Sequence, residues 1–426
     1  MIKNAVEAFT GYIQVQHHEY WDEKTIEHTF AETGNLTQKI RDVKNVDLIV
    51  PRLQSFALAS SGDQTKGAMV MGVDPVKETQ LTGLKEKIVR YRLSERAVQE
   101  LEKENLPDAL MKKIRELKHN SYANTHKLEL DLELEDEEAK KYTPVITKHT
   151  KFRGNYLESN DKGALVADKL AKYLKIDIND TIILLGQGYH GVSAAGKYPV
   201  RGILKFPTPD LDRSMVYLTL EQAQNLYGAH NRLTCLALNL HDHDDESMKK
   251  TADRISKAVD NEQFSVLSWK QMNKALVQQI ESDNISGLMM LGMLYIIIAF
   301  GVFGTVLMMT AERKREFGVM VAIGMQKLKL GGVVTAEMFF IGILGLISGI
   351  ILSIPAIMLG YYNPIRLTGE TAKSIESFGI EPVMPFAWFD DYIFNQSLIV
   401  MLLVLIAIIY PIYSVVKINE TKALRA

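Results

Sequence analysis

Three windows of the chain stay free of charge, or nearly so, for the length of a bilayer crossing, which takes about 20 apolar residues. The first runs from Ile285 to Ala311, between Asp283 and Glu312. The second runs from about Leu330 to Tyr361 with one acid, Glu337, near its start, and the third from Ile393 to Val416, between Asp391 and Lys417. A core helix of a soluble protein seldom stays uncharged so long, so each window predicts a transmembrane helix. Residues 1–284 alternate short strand-like and helix-like stretches instead. Strands are expected at Tyr12–Gln16, Val46–Val50, Ala68–Val73, Thr181–Leu185, Val200–Lys205, Met215–Leu218 and Leu233–Leu240. Helices are expected at Ala164–Leu174, Leu220–Leu226, Met248–Val259 and Trp269–Ile280, the last with Trp269, Met272, Leu276 and Ile280 on one face. Only a short polar break separates that helix from the first span, so domain movement could reach the membrane directly. The expected architecture is a membrane α-helical bundle, with three spans present, plus a water-facing α+β domain.

Residues 86–150 carry more charge than their surroundings and read as an insertion in that domain. Within it Leu128, Leu130, Leu132 and Leu134 alternate with Glu129, Asp131 and Glu133, the pattern of a half-buried strand. The acidic run Glu135–Glu138 reads as a solvated turn, with a cation site as the sharper alternative.

Averages conceal this division. Over 426 residues the chain is 47% hydrophobic and 23% charged, which would suit a soluble protein of two or three domains. Its formal net charge of -2 gives no reason to expect nucleic acid as a partner. The single cysteine, Cys235, leaves no disulfide within the sequence and, in the stretch Leu-Thr-Cys-Leu-Ala-Leu, reads as a core residue.

Charge does settle an expected orientation. Arg313, Lys314, Arg315, Lys327 and Lys329 crowd the loop between the first two spans, and Lys417, Lys422 and Arg425 follow the third. The loop between the second and third holds only Arg366 and Lys373 among acids. Short cytoplasmic loops concentrate basic residues, which places loop 312–329 and tail 417–426 inside and residues 1–284 outside the cytoplasm. Trp388 and Tyr392 suit the outer interface. The stretch Met1–Tyr12 has neither a signal-peptide core nor a span, so this topology calls for a further spanning helix ahead of Met1.

Candidate chemistry is sparse. Gly186-Gln-Gly188-Tyr-His-Gly191 fits the dinucleotide fingerprint after a strand, with Asp210 downstream, and Gly191 to Lys197 spells a P-loop short of its final Ser or Thr, where Tyr198 stands. Both motifs need a helix starting at the glycines, and Gly196 and Pro199 deny one. A glycine-rich hairpin between strands explains both matches. His241-Asp-His243-Asp-Asp245-Glu, at a strand end before a helix, reads as a cap and turn before it reads as a metal patch, and His17-His18-Glu19 is read the same way. No catalytic constellation, metal or cofactor is expected. Glu337 is an ionisable group inside a span, which marks either a role or a side chain snorkelling to the interface. Gly342, Gly345 and Gly349 stand at one-turn spacing, a pattern for close helix packing. The loop between the first two spans opens with charge and continues Phe317-Gly-Val-Met-Val-Ala-Ile-Gly-Met325, a short amphipathic helix of the kind that lies in a partner's groove.

This loop, Glu312-Arg313-Lys-Arg315-Glu316-Phe317-Gly318-Val-Met320-Val-Ala322-Ile-Gly324, resembles the cytoplasmic loop of ABC-transporter permeases of the lipoprotein-releasing, macrolide-exporter and FtsX-like type. The chain's end, Tyr410-Pro411 through Leu424-Arg425, is similar to that family's C-terminal pattern, departing at Glu420, where proline is usual. Met69-Val-Met-Gly72-Val-Asp74-Pro75 resembles the family's first-strand motif. Gly163–Ala167 through Asp180 resembles its helix and following strand, with Asn179 at a usual glycine. The resemblance covers the chain except residues 86–150. It implies four spans, with the external domain between the first and second. It also implies that the loop is a coupling helix docking on a cytoplasmic ABC ATPase, and that two permease subunits pair. ATP-driven closure would move the external domains by mechanotransmission, with hydrolysis confined to the partner. With no fused ATPase and a large external domain, lipoprotein release is the expected function, with membrane lipids and a lipoprotein substrate as further partners. A drug or peptide exporter subunit, a membrane-anchored regulator of a cell-wall hydrolase, and a nucleotide-binding enzyme are the alternatives, in that order.

Overall fold

The structure, a computed structural model, describes residues 10–134, 136–260, 262–367, 383–384, 386–388 and 391–417. The expectations for the first nine residues, Glu135, Lys373 and the tail beyond Lys417 lie outside these. The described residues divide into two compact units, one ending at Lys274 and one beginning at Ala275.

The first unit is built on nine strands: β1 (Ile13–His17), β2 (Val46–Ser61), β3 (Gln64–Val73), β4 (Ala164–Ala167), β5 (Thr181–Gln187), β6 (Ser193–Leu204), β7 (Met215–Thr219), β8 (Cys235–Leu240) and β9 (Phe264–Ser268). They run in the order β9-β1-β8-β2-β3-β7-β4-β6-β5, and β5 pairs back onto β2. The long strand β2 makes this possible. Its first part, Val46–Arg52, pairs with β8, while Leu58, Ala59 and Ser60 pair on the same strand with Leu185, Leu184 and Ile183 of β5. Six strands thus close into a ring, and β8, β1 and β9 form a wing. Helices of both short and medium length cover the sheet, so the unit is α+β.

Several local outcomes differ from expectation. The strand expected at Val46–Val50 is only the start of β2. Further along, the inward residues are the small Ala57 and Ala59 and the outward ones are Phe56 and Leu58, so alternation carries no hydrophobic contrast. Ala164–Ala167, expected as the first turn of a helix, is a fully buried strand, parallel to β6, and the helix begins at Asp168. A short apolar run buried on both faces looks alike in either conformation. The helix at Trp269 breaks after one turn at Asn273 (φ −113, ψ 51), and a new helix starts at Lys274.

The motif at residues 69–75 has a steric reason. A Cβ on Gly72 would lie 2.3 Å from that of Ala223, so glycine lets the helix Leu220–Tyr227 pack directly on β3. Asp74 then caps the helix Pro75–Thr82, its Oδ1 accepting from Val76 and Lys77 N–H. Asn179, at the usual glycine, has φ +71, a conformation that asparagine tolerates.

Residues 93–146 form their own core around Leu101, Ile114, Leu128 and Ile146. The alternating leucines are not a strand. Asn124 caps a helix over Thr125–Asp131, burying Leu128 and, at its C-cap, Leu132, a turn apart on one face. The acidic run is likewise no turn, since Asp136–Thr150 is helical and the acids stand at its positive N-terminal end. This segment is tied to the sheet by charge. Buried Asp168 accepts from Ser121 Oγ at 2.7 Å, lies 3.7 Å from Arg92, and is held by Lys172 and Lys205 at 2.5 and 3.3 Å. Burial pushes its carboxyl up, but Lys205 and Lys172 outweigh that and hold it below the usual range. A second buried pair, Arg52 and Glu78, is bidentate at 2.9 and 2.7 Å, with Thr82 Oγ1 donating to the same carboxylate.

The second unit holds three long helices, Lys274–Glu312, Lys327–Tyr362 and Asp391–Val416, of 39, 36 and 26 residues. At about 1.5 Å per residue each exceeds a hydrocarbon core of about 30 Å. Their large apolar side chains are mostly exposed, as lipid-facing ones would be.

Candidate functional site

The loop joining the first two long helices folds as a helix, Lys314–Ala322, entered through a kink at Arg313 (φ −90, ψ 5). Gly324, at φ +107, reverses the chain after it in a conformation open only to glycine. Its N–H donates to Val321 O and that of Met325 to Met320 O, closing the helix end.

One face of this helix is not free. Phe317 is 2% exposed and belongs to one buried cluster with Val321, Val306, Leu330, Val334, Ala407 and Val415, to which all three long helices contribute. Gly318 is also buried, and Met320 is packed at the margin. The expectation that the apolar face from Phe317 onward lies open to a partner is therefore corrected. Phe317 is an anchor for the unit's own core. The exposed set is different: Val319 on the helix is 40% exposed, Ile323 at its C-cap 81% and Leu328 in the first turn of the next helix 84%, with Glu312, Lys314, Arg315, Glu316 and Ala322 also exposed.

Glu337 is not isolated in its span. Arg313 Nη1 donates to both of its oxygens at 2.6 Å, and Arg313 Nε donates to Glu316 at 3.3 Å. The guanidinium also lies 5.5 Å from the Phe317 ring centre. The kink residue is thereby fastened to the second long helix at one end and to the short helix at the other. A charge in a span needs such a partner, and Arg313 supplies it. Of the three glycines, Gly342 alone packs on another helix among the described residues: a Cβ there would lie 2.8 Å from Val404 Cγ1 of the third long helix. Cβ atoms at Gly345 and Gly349 would meet open space. The first and third helices are linked by a Tyr295–Gln396 hydrogen bond and by the rings of Phe303 and Tyr410. That link lay outside the sequence reading, because a lone Tyr and Gln in apolar windows carry no spacing signal.

The other motifs resolve into structure. Gly186 to Gly191 closes the β5–β6 hairpin, with Gly188 N–H donating to Val192 O, and Lys197 lies within β6. A Cβ on Gly188 would lie 2.6 Å from Tyr227 O, so close backbone approach accounts for that glycine. Asp244 caps the helix Asp245–Ala258, while His243 stacks on Tyr12 and donates to Leu240 O at 2.7 Å.

Three bilayer-length helices, a loop helix folded against their ends and a large α+β unit are the parts of a multi-pass membrane protein. Residues 288–419 match the FtsX-like permease C-terminal family. An uncharacterized ABC transporter permease of Methanocaldococcus jannaschii is 24% identical over 209 residues, which is 47% of this chain and 50% of that one. The matched part thus spans about half the relative's length. In that C-terminal part the chain is similar to FtsX-like ABC-transporter permeases. Among solved structures, the extracellular domain of the noncanonic ABC-type transporter YknZ from Gram-positive bacteria covers 60% of the chain and 99% of its own length, at 10% identity and TM-score 0.32. The periplasmic region of MacB from Actinobacillus actinomycetemcomitans covers 66% and 97%, at 9% identity and TM-score 0.35.

Proposed function

We propose that this chain is a permease subunit that receives motion from a separate cytoplasmic ABC ATPase and passes it to an extracytoplasmic α+β domain. One observation carries the reading: the helix Lys314–Ala322 is fastened to the unit's core through Phe317 and to the second long helix through Arg313–Glu337, yet leaves Val319, and Ile323 at its C-cap, exposed. A part fastened on one face and apolar on the other suits the transmission of force from a partner. The basic residues Lys314, Arg315, Lys327 and Lys329 set this loop in the cytoplasm and so the α+β domain outside. They would steer the partner more than hold it. ATP hydrolysis lies with the ATPase, and the chain pairs with a second permease subunit. The substrate class is a lipoprotein, in keeping with the likeness of the 312–324 loop to that of lipoprotein-releasing permeases; a drug or peptide exporter is the second reading. The test is crosslinking from Ile323→Cys in membranes that also contain a candidate ABC ATPase from the same cells. A specific adduct, with loss of ATPase association in Ile323→Asp, is expected. An Ile323→Asp protein that still binds the ATPase and supports transport sinks the proposal.

A further inference from the structure

The stretch His17-His18-Glu19 gains a partner in the fold. β1 ends at His17, a single helical turn covers Tyr20–Glu23, and Lys24, at φ 50, reverses the chain so that His28 returns beside His17. The two rings lie 5.5 Å apart and 24° from parallel. One nitrogen from each ring and one carboxylate oxygen of Glu19 lie within 4.8 Å of one another. The His28 Nδ1 to Glu19 Oε2 separation is 3.1 Å, close to the edge of about 3.3 Å between ligands on a tetrahedral zinc ion with bonds of about 2.0 Å. The other His28 nitrogen, Nε2, is 2.7 Å from Glu23 Oε2. A carboxylate at that position fixes the tautomer that leaves Nδ1 free to ligate, the usual support for a metal-bound histidine.

The segment is also held in place. Buried Tyr20 donates to Gln54 O at 3.3 Å, and Ile26 is part of the sheet's core. Arg232, a cation near His17, is directed at Thr29, donating to its hydroxyl and carbonyl at 2.7 and 2.6 Å. The ligand atoms therefore project from an anchored turn, not from a loose loop.

We infer that His17, Glu19 and His28 form a zinc site, with Glu23 orienting His28 and the fourth position open to water. Two imidazoles and a carboxylate are a donor set that suits zinc over calcium or magnesium, which prefer oxygen alone. Drawing the His17 nitrogen inward needs only side-chain rotation, because both backbone segments are already fixed.

Full-length protein without a polyhistidine tag, in detergent, tests this by zinc titration against a chromophoric chelator and by cobalt substitution. A single saturable zinc per chain is expected, with the strong visible absorption of tetrahedral cobalt. His28→Ala and His17→Ala should each weaken binding by 100-fold or more, and Glu23→Gln by about 10-fold to 100-fold. His18→Ala should change nothing. Should a histidine variant fail to fold, Glu19→Gln, at an exposed position, serves the same purpose. Zinc binding unchanged in Glu19→Gln and His17→Ala, or a cobalt spectrum of the faint octahedral type, overturns the assignment.

Discussion

At the scale of single residues, the sharpest energetic statement concerns Arg52 and Glu78. Both are completely buried, and neither charge has access to water. Each charge is offset chiefly by the other, in a bidentate pair. Glu78→Ala leaves a guanidinium in the core and should cost about 3–5 kcal/mol in unfolding of the α+β unit. Arg52→Met combined with Glu78→Leu removes both charges and should recover most of that loss. Denaturant unfolding followed by tryptophan fluorescence checks both. A double variant as unstable as the single one would mean the pair is favourable in itself.

At the scale of elements, the loop helix separates two kinds of apolar residue that look alike in sequence. Phe317→Asp puts a charge into the cluster with Val334 and Ala407, and should destabilise the membrane unit by several kcal/mol, seen as aggregation in detergent at lower temperature. Ile323→Asp changes an exposed position and should shift that temperature little. Equal effects would show that the helix has no inner and outer face. Sequence placed this helix but not its rotation. The segment Phe-Gly-Val-Met-Val-Ala-Ile is apolar nearly all round, and only contact with the long helices decides which side faces in. The same limit explains residues 128–134. A leucine at every second position also supplies leucines four apart, and Asn124 with its capping geometry tipped the balance to helix. The three spans were legible because length without charge is a signal that needs no partner. His28 was not, because it reaches His17 only through the turn at Lys24.

For the whole molecule, orientation can be mapped with one reagent, because Cys235 is silent. It is buried, and burial pushes its thiol up to about 11, so an aqueous maleimide has neither access nor thiolate. In intact cells, an impermeant maleimide should label Val192→Cys, which is exposed on the α+β unit, and should spare Ile323→Cys until the membrane is opened. The reverse pattern would invert the topology and remove the loop helix from the cytoplasm.

The ring of strands carries a consequence for how this domain comes together. Its closing hydrogen bonds join Leu58–Ser60 to Ile183–Leu185, with the whole insertion lying between them in the chain. Loop entropy grows only with the logarithm of length, so the insertion adds little to the equilibrium cost of that seam. Its effect falls on time instead. A contact so distant in sequence forms late, after β2 with β3 and β5 with β6 have paired locally as hairpins. During synthesis, β2 must wait with one edge unsatisfied until β5 and then β8 have emerged, and a chain stalled in that interval presents an open strand edge to its neighbours.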